Sequence, residues 1–522
     1  MTIRQKPPPP PNIVFIMADD HASKAISCYG ANINHTPHLD RLAHEGMRLN
    51  HCYVTNSICT PSRAAILTGT YNHVNGVLTL ASKINKHLPN VAKHLRSSGG
   101  YQTAMVGKWH LGEGNPHEPT GFDYWSILRG QGEYFDPTFI GPDTPAAGVP
   151  EEGYATDLIT DKSIAFIRNR DRARPFFLMC HHKAPHRSWE CDPRHKHLYR
   201  DRIRVPATYS DEYKHRARAA QTAKMRVAED MTYFDLGLAQ PDGGARQVGE
   251  RMFDGRRKVP APETEEAIRN LKLVDVDDGT VFTFQTAAEL ADFKYQRYMQ
   301  RYLRTIHSVD ENVGRLLDAL DAEPGLAENT VVVYTSDQGF FLGEHGWFDK
   351  RFMYEESFQM PFLVRYPREI APGSVGEDIV CNVDFAPTFL DFARVAQPSY
   401  MQGKSFRAVL RGSPPAGWQQ VAYHRYWMHN DAIHEAYAHY GVRDQRYKLI
   451  YWYNEPLDVE GARPGGEEYK EWELFDCLED PLELFNIYHE PEYREVVGRM
   501  TRLLEAKMEE IGDEPEHKLR SR

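Results

Sequence analysis

The sequence is short of cysteine, with seven in 522 residues and no C-x-x-C pair. This scarcity indicates reduced thiols rather than a disulfide framework. No run of about 18 apolar residues occurs, so the sequence predicts no transmembrane helix and no membrane partner. The net charge is −11 and no Lys/Arg-rich run is present, so no nucleic-acid partner is expected.

The amino-terminal segment MTIRQKPPPPPN also lacks the apolar stretch and small-residue cleavage site of a signal peptide. Because a proline run adopts an extended, solvated helix, we expect residues 1–11 to form a stiff leader. A cytoplasmic protein is therefore expected. A signal trimmed from a longer precursor would make it an exported one.

What the sequence does contain is an alternation of short apolar runs and helical patterns. Buried strands are predicted at 12–17, 103–106, 176–180 and 330–335, and helices at 36–46, 90–97, 156–168 and 288–320. This alternation is typical of an α/β fold, in which helices cover both faces of a large, mostly parallel sheet.

Composition divides the chain further. We expect a main catalytic domain at 12–397, in which the charged, weakly periodic stretch 205–279 is an insertion. Residues 398–522 predict a smaller C-terminal α+β subdomain, with strand-like 443–453 in an antiparallel sheet and an amphipathic terminal helix at 491–511.

Each of the four predicted strands runs into a polar cluster. These clusters are Asp19-Asp20-His21, Lys108-Trp109-His110, the segment HHKAPH ending at His186, and Asp337-Gln338. One such cluster alone is usually just a turn. Ligand sites of open α/β sheets lie at the carboxyl ends of the strands, so four clusters on one sheet are expected to converge.

The first and last of these clusters predict a metal site. Asp19, Asp20 and Asp337 would repel one another unless a cation lay between them. Together with the amide oxygen of Gln338 they form an all-oxygen set, which selects a hard cation, Ca²⁺ or Mg²⁺.

Four cationic or imidazole side chains predict an anion pocket beside that metal. They are Lys108, His110, His186 and Lys350. Any one of them alone is more often a surface residue. Placed together they would bind and protonate a tetrahedral oxyanion, either sulfate or phosphate.

Cys59 precedes a helix-start pattern, with Thr60 as the expected N-cap and Pro61 at the first helical position. A helix N-terminus favours anions. Cys59 alone can be read as a small buried hydrophobe or as a low-pKa thiolate nucleophile. Neither interpretation explains the neighbouring hard-metal cluster, for which an oxygen nucleophile would be the better match.

The stretch CTPSR at 59–63, followed by LTG at 67–69, resembles the Cys-x-Pro-x-Arg signature of the type I sulfatases of the alkaline phosphatase superfamily. Five further motifs match in order: the strand-end Asp pair, GKWHLG, APH, SDQG and GWFDKRFMYEES. The resemblance extends from residue 12 to about residue 486.

The resemblance implies that a formylglycine-generating enzyme converts Cys59 to formylglycine (3-oxoalanine), whose hydrated aldehyde is the nucleophile. It implies a Ca²⁺ site, with Mg²⁺ the lesser alternative, held by Asp19, Asp20, Asp337, Gln338 and the modified Cys59. Its remaining implied roles are Arg63 holding the hydrate, Lys108 and Lys350 binding sulfate oxygens, His110 contacting the hydrate, and His186 facing the leaving oxygen. Many members have Asn where this chain has the longer Gln338.

The function implied is a sulfuric ester hydrolase. The later motifs resemble a bacterial subgroup acting on sulfated sugars, including N-acetylglucosamine-6-sulfatases, which predicts a small-molecule or oligosaccharide sulfate ester as substrate. Candidate sugar-binding residues are His345, Trp347, His434 and His439. The alternative is a phosphonate monoester or phosphodiester hydrolase with the same formylglycine. A non-catalytic anion-binding relative is disfavoured by the intact nucleophile motif.

Overall fold

The computed structural model describes residues 9–240, 262 and 264–518. Within them the strands are β1 Asn12–Ala18, β2 Met47–Tyr53, β3 Gln102–Lys108, β4 Tyr124–Leu128, β5 Thr138–Ile140, β6 Val149–Pro150, β7 Phe176–His181, β8 Leu238–Ala239, β9 Lys272–Asp275, β10 Val281–Thr283, β11 Thr330–Ser336, β12 Phe341–Leu342, β13 Phe348–Asp349, β14 Gln359–Arg365, β15 Ser374–Gly376, β16 Val380–Cys381, β17 Ala422–Tyr426, β18 His439–Arg443, β19 Tyr447–Trp452 and β20 Glu471–Asp476.

The helices of the same residues are α1 Pro37–His44, α2 Cys59–Thr68, α3 Asn72–Asn75, α4 Val91–Ser97, α5 Ala155–Asn169, α6 Arg218–Thr222, α7 Glu265–Asn270, α8 Ala287–Asp321, α9 Glu355–Phe358, α10 Phe385–Phe392, α11 Arg407–Leu410 and α12 Arg494–Ile511. None of these is long and apolar enough to cross a bilayer.

The main sheet of the described residues has eleven strands, in the order β15-β2-β14-β11-β1-β7-β3-β4-β5-β6, with β16 beside β2. The four strands predicted from sequence are its central neighbours, and β11, β1, β7 and β3 pair in parallel. Their ends are in register: Ala18 pairs with Ser336, and His181 pairs with both Met17 and Gly107. The polar residues that follow these positions therefore emerge at one level.

Helices cover both faces of this sheet, as predicted. Strand β1 alternates between two apolar cores, because successive side chains point to opposite faces. Val14 and Ile16 pack with α1, α5 and α8 on one face. Ile13 and Phe15 pack with α2, α4 and α10 on the other. The expected α/β fold is confirmed.

The expected insertion at 205–279 falls partly outside the described residues, at 241–261 and 263. Its described parts form α6, α7, β8 and β9, and the two strands join β10 in a separate three-stranded sheet in the order β10-β9-β8. Helix α7 and this sheet pack with the first half of α8 in a third core that contains Leu236, Leu273 and Leu303, whereas Ala219 and Ala220 of α6 belong to the core of α2 and α10.

The C-terminal region forms a four-stranded antiparallel sheet, β17-β18-β19-β20, against which α12 packs. The stretch 443–453, expected as one strand, is divided: β18 ends at Arg443 and β19 begins at Tyr447 after a turn. Leu449, Trp452 and Leu504 join the same apolar core as α2 and α10. The subdomain is therefore continuous with the main body in its packing.

Candidate active site

Three carboxylates meet where β1 and β11 end. Asp19 and Asp20 follow β1, and Asp337 follows its neighbour β11. All three are completely buried, and one oxygen of each lies within 4.8 Å of the others. The backbone N–H of Asp20, which has a left-handed φ of 67°, donates to Asp337 Oδ1 at 3.2 Å. The sequence-predicted cluster is thus assembled by strand register.

This carboxylate cluster (Asp19, Asp20 and Asp337) carries an electrostatic penalty. Burial raises the pKa of Asp20 to about 6, and the negative charge of Asp337 adds to the shift, although Lys350 opposes it. A buried carboxylate is stable only with a nearby positive charge. The negative charge of the cluster therefore has to be compensated by nearby cations.

Two buried oxygens at the cluster have no hydrogen-bond donor. They are Asp19 Oδ1 and Gln338 Oε1. The Gln338 amide lies with its nitrogen donating to Asp20, so its side chain reaches the cluster despite the extra methylene. Unpaired oxygens next to three carboxylates fit a hard divalent cation, which takes oxygen ligands.

Cys59 lies at the start of α2, but the helix begins two residues earlier than expected. Cys59 is its first residue and Ile58 its N-cap, so Pro61 occupies the third position. The Thr60 hydroxyl does not cap the helix; it donates to the His110 carbonyl at 3.0 Å. The side chain of Ser62 donates to the Asp337 carbonyl, which fixes α2 against the end of β11.

The Cys59 thiol is only 1% exposed. Burial raises its pKa to about 12; Asp337 and Asp20 add to the shift, and Lys350 only partly offsets it. At neutral pH the thiol is therefore protonated. This is the opposite of the exposed, low-pKa thiolate that serves as a cysteine nucleophile.

Arg63 locks the helix, the cluster and β3 together. Its Nε and one terminal nitrogen donate to Asp337 Oδ2 at 3.0 and 2.9 Å. Its other terminal nitrogen donates to the Lys108 carbonyl at 2.9 Å. This planar fork places three elements of the site with one side chain.

Two lysines bring positive charge to the cluster. Lys108 Nζ donates to Asp19 Oδ2, and Lys350 Nζ lies 2.6 and 2.7 Å from the two oxygens of Asp20. Burial lowers the pKa of Lys108 well below its usual value. Burial also opposes the charge on Lys350, but Asp20, Cys59 and Asp349 together outweigh it and raise that pKa.

Both predicted histidines are at the site. His186 Nδ1 lies 2.6 Å from the Arg187 carbonyl and so carries the proton, while Nε2 points toward Asp20, 3.8 Å from Oδ2. His110 Nδ1 lies 3.3 Å from the Thr60 hydroxyl. Burial, reinforced by Lys108 and Lys350, lowers the pKa of both imidazoles well below the usual value. Both are neutral at neutral pH.

A cavity of about 390 Å³ opens over Cys59, within the size range of small-molecule sites. Cys59, His186 and Lys350 line its inner part. The wall also carries seven charged side chains that the sequence analysis did not single out: Glu133, Lys183, Arg187, Glu190, Asp235, Asp349 and Arg351. The pocket is therefore shaped to hold a polar ligand next to the Cys59 position.

The sulfatase family pattern matches residues 11–395, which is most of the chain. The chain belongs to the sulfatase family. A second pattern, the C-terminal region of N-sulphoglucosamine sulphohydrolase, matches residues 343–510 of this sulfatase. Sulfatases generally use a formylglycine and a divalent cation, and as a member of the family the chain is a sulfuric ester hydrolase.

Two relatives cover nearly the whole sulfatase chain. It is 43% identical to an N-acetylglucosamine-6-O-sulfatase of Bacteroides thetaiotaomicron, over 97% of this chain and 88% of the relative. A solved structure, BT4656 in complex with its substrate D-glucosamine-2-N,6-O-disulfate, is 42% identical with a TM-score of 0.83, covering 98% of this chain and 100% of that one.

A phosphonate monoester hydrolase of Agrobacterium radiobacter is also similar in structure. Its TM-score is 0.66 at 18% identity, with 96% of each chain covered. At that identity the likeness concerns the fold alone.

The four candidate sugar-binding residues are not on the pocket wall. His434 comes nearest: it is fully buried behind the wall, with Nε2 3.2 Å from Asp349 and Nδ1 3.1 Å from Asp431. Direct contact of His434 with the substrate stays a prediction. In this structure its imidazole contacts Asp349, which is itself on the pocket wall.

The other three candidates are core residues. His345 pairs with Asp211 at 3.0 Å, and Trp347 stacks on Tyr213 with 5.1 Å between ring centroids. His439 accepts from the Met353 backbone N–H at 3.1 Å. Each is at most 1% exposed. Direct contact of these three residues with a sugar stays a prediction, and the contacts seen in this structure are with the core.

Sequence reasoning missed Asp349 and Arg351, although they flank Lys350. Both have left-handed φ values, 77° and 105°, which turn their side chains into the pocket with that of Lys350. Arg351 donates to Asp349 through its guanidinium, and Arg187 lies 3.4 Å from the same carboxylate. The sequence feature that could have identified them is the run of three charged residues Asp349-Lys350-Arg351.

Proposed function

We propose that this sulfatase removes the 6-O-sulfate from a glucosamine residue. The observation that carries the proposal is the charged pocket over Cys59, in a chain 43% identical to an N-acetylglucosamine-6-O-sulfatase. A pyranose presents several hydroxyls, and buried carboxylate and guanidinium groups bind such hydroxyls with directional hydrogen bonds. Asp349 and Arg351 would supply these contacts, and Arg187 and His434 would hold Asp349 in place.

The cation of the site is proposed to be Ca²⁺, held by the carboxylate cluster and Gln338. Its support is the all-oxygen donor set with two unpaired oxygens. When bound, the ion supplies positive charge that stabilises the developing oxyanion.

Cys59 is proposed to be matured by a formylglycine-generating enzyme. The hydrated aldehyde supplies a nucleophilic oxygen and a second hydroxyl that allows sulfate to be expelled afterwards. A neutral, fully buried thiol at a helix start, between a lysine and a carboxylate cluster, supports a precursor role better than a thiolate role. Arg63 and Thr60 hold this end of α2 in position.

The remaining side chains bind the sulfate and move protons. Lys108 and Lys350 carry the positive charge for the sulfate oxygens. The His186 ring is oriented by the contact of its Nδ1–H with the Arg187 carbonyl, so its Nε2 carries no proton before substrate binds. Once the negative charge of the sulfate ester occupies the pocket, Nε2 would take up a proton from solvent and pass it to the departing sugar oxygen. His110, held beside Thr60, would accept a proton when sulfate is released.

Substrate kinetics test the proposal directly. We expect kcat/KM for N-acetylglucosamine-6-sulfate and glucosamine-6-sulfate to exceed that for the corresponding 3-O-sulfates and for 4-nitrophenyl sulfate. A preference for a nitrophenyl phosphonate would overturn the sulfate assignment in favour of the phosphonate alternative. A preference for 3-O-sulfate would retain the sulfatase and reject the 6-O position.

Maturation is tested by mass spectrometry of the peptide that contains Cys59. Coexpression with a formylglycine-generating enzyme should remove the thiol and add an aldehyde that reacts with hydrazides. The peptide that contains Cys180, a buried cysteine on β7, is the internal control and should keep its thiol. Full turnover by protein with an intact Cys59 thiol would reject the maturation.

A further inference from the structure

Two histidines and a glutamate converge on the face of α8 that lies away from the sheet. His307 and Glu311 are one helical turn apart on α8, so their side chains share a face. His195 is brought to the same point by the short 3₁₀ turn Pro193–His195. One ligand atom from each of these three side chains lies within 4.8 Å of the others.

The contacts inside this trio (His195, His307 and Glu311) are those of convergent ligands. His195 Nε2 lies 3.2 Å from one Glu311 oxygen, and His307 Nε2 lies 3.8 Å from the other. The two imidazole rings are 4.7 Å apart and inclined by 75°. In a tetrahedral zinc site with ligands at about 2.0–2.1 Å, the donor atoms lie about 3.3–3.4 Å apart. The 3.2 Å pair therefore already fits, and the 3.8 Å pair would have to close only slightly.

Burial leaves ring nitrogens of the trio without hydrogen bonds. His195 is 3% exposed, and its Nε2 has no hydrogen bond of acceptable geometry; the same holds for His307 Nδ1. Buried polar atoms are normally hydrogen-bonded, and a bound ion would explain imidazole nitrogens that are not. The side chains of His307 and Glu311 are 23% and 38% exposed, which leaves a route from solvent.

The neighbouring Arg194 does not neutralise Glu311 in close contact. Arg194 lies 3.8 Å from Glu311, but its closer contacts are with Asp157 at 2.6 Å and Asp192 at 2.9 Å. Glu311 is therefore the most weakly held of the three carboxylates around Arg194 and keeps oxygen lone pairs for another cation.

We propose that His195, His307 and Glu311 form a zinc site. Two imidazoles and one carboxylate form a ligand set suited to Zn²⁺, with water in the fourth position, and one poorly suited to Ca²⁺, which takes only oxygens. The site is chemically distinct from the carboxylate cluster. It would fasten the segment that follows His186 and Arg187 in the chain to the long helix α8.

Zinc binding by the calcium-saturated protein tests the site. Wild type and His307→Ala are equilibrated with Zn²⁺ in excess Ca²⁺, separated from free metal, and their zinc content is measured. We expect His307→Ala to hold one equivalent less than wild type. The control is His87→Ala, an exposed histidine in another loop, which should retain the wild-type content. Equal zinc content in wild type and His307→Ala would overturn the proposal.

A second variant separates metal loss from misfolding. Glu311→Gln preserves the shape of the side chain and removes its charge. With Co²⁺ as a spectroscopic probe, wild type should show the intense visible bands of a tetrahedral site, and Glu311→Gln should bind at least about tenfold more weakly. Zn²⁺ should raise the Tm of wild type and not that of Glu311→Gln. Identical Co²⁺ spectra and equal Tm shifts in the two proteins would refute the site.

Discussion

Among the clusters of buried charge in the described residues, one lies at the strand ends and another in the C-terminal sheet. In the second, Arg425 on β17 donates to Asp513 Oδ1 at 2.7 Å and to Glu516 at 2.9 Å. The Tyr423 hydroxyl donates to Asp513 Oδ2 at 2.6 Å, so each carboxylate oxygen has a donor. Arg425 also covers the Trp427 ring at 3.7 Å.

The first cluster differs in what it leaves unsatisfied. Asp19 Oδ1 and Gln338 Oε1 are buried without donors, and the cluster borders a pocket. Buried charge alone therefore does not identify a functional site. What distinguishes the strand ends is unpaired ligand oxygens beside the pocket that holds Cys59. The C-terminal cluster is closed in the sense that both oxygens of Asp513 have donors, and it joins the end of α12 to its sheet.

Loss of the nucleophile position should give the largest effect. We expect Cys59→Ala to lower kcat by about 10⁵-fold or more, because no other group can replace a covalent nucleophile. Cys180→Ala, at an equally buried cysteine outside the pocket, should keep wild-type kcat once folded. Steady-state kinetics on a 6-O-sulfated glucosamine measure both. Comparable losses in the two variants would mean that the effect comes from the fold.

Removal of the charge of one metal ligand should give the second-largest loss of activity. Asp19→Asn takes a charge from the carboxylate cluster, and we expect loss of bound Ca²⁺ and about a 10³-fold fall in kcat/KM. Asp513→Asn, the matched change in the closed cluster, should leave metal content and kcat/KM unchanged. Elemental analysis measures the bound metal, and kinetics before and after EDTA treatment measure kcat/KM with and without it. Wild-type turnover by metal-free Asp19→Asn would contradict the metal assignment.

A substitution in the closed C-terminal cluster should change the stability of the fold instead of the activity. Arg425→Met removes one partner of a buried pair and leaves Asp513 uncompensated, so the free energy of unfolding should fall by about 3 kcal/mol. Urea denaturation measures this, and activity per folded molecule should not change. A large loss of turnover in folded Arg425→Met would show that the two clusters are coupled.

The carboxylate cluster was predictable from sequence because its geometry follows from strand register. Once 12–17 and 330–335 are recognised as strands of one parallel sheet, Asp19 and Asp337 must emerge at the same edge. The first residue of α2 was harder to predict from sequence. Thr60 and Pro61 resemble the N-cap and first residue of a helix, whereas Cys59 already has helical geometry in the structure.

The pocket wall was harder to predict for a different reason. Asp349 and Arg351 reach the cavity through left-handed backbone conformations that no periodicity marks. The prediction of His345, Trp347, His434 and His439 as sugar contacts rested on residue type, which does not predict how deeply a side chain is buried. Imidazole and indole groups serve equally well in a sugar site and in a core with a local polar partner.

The smallest effect is expected at one of those core residues. His345→Asn removes the imidazole that bonds Asp211 at 3.0 Å, yet asparagine tolerates the left-handed φ of 55° at this position. We expect a loss of about 2 kcal/mol in the free energy of unfolding, because Asp211 loses a hydrogen-bond donor. Since His345 does not line the pocket, kcat/KM should stay within about twofold of wild type. A rise in KM without loss of stability would instead place His345 in contact with the sugar.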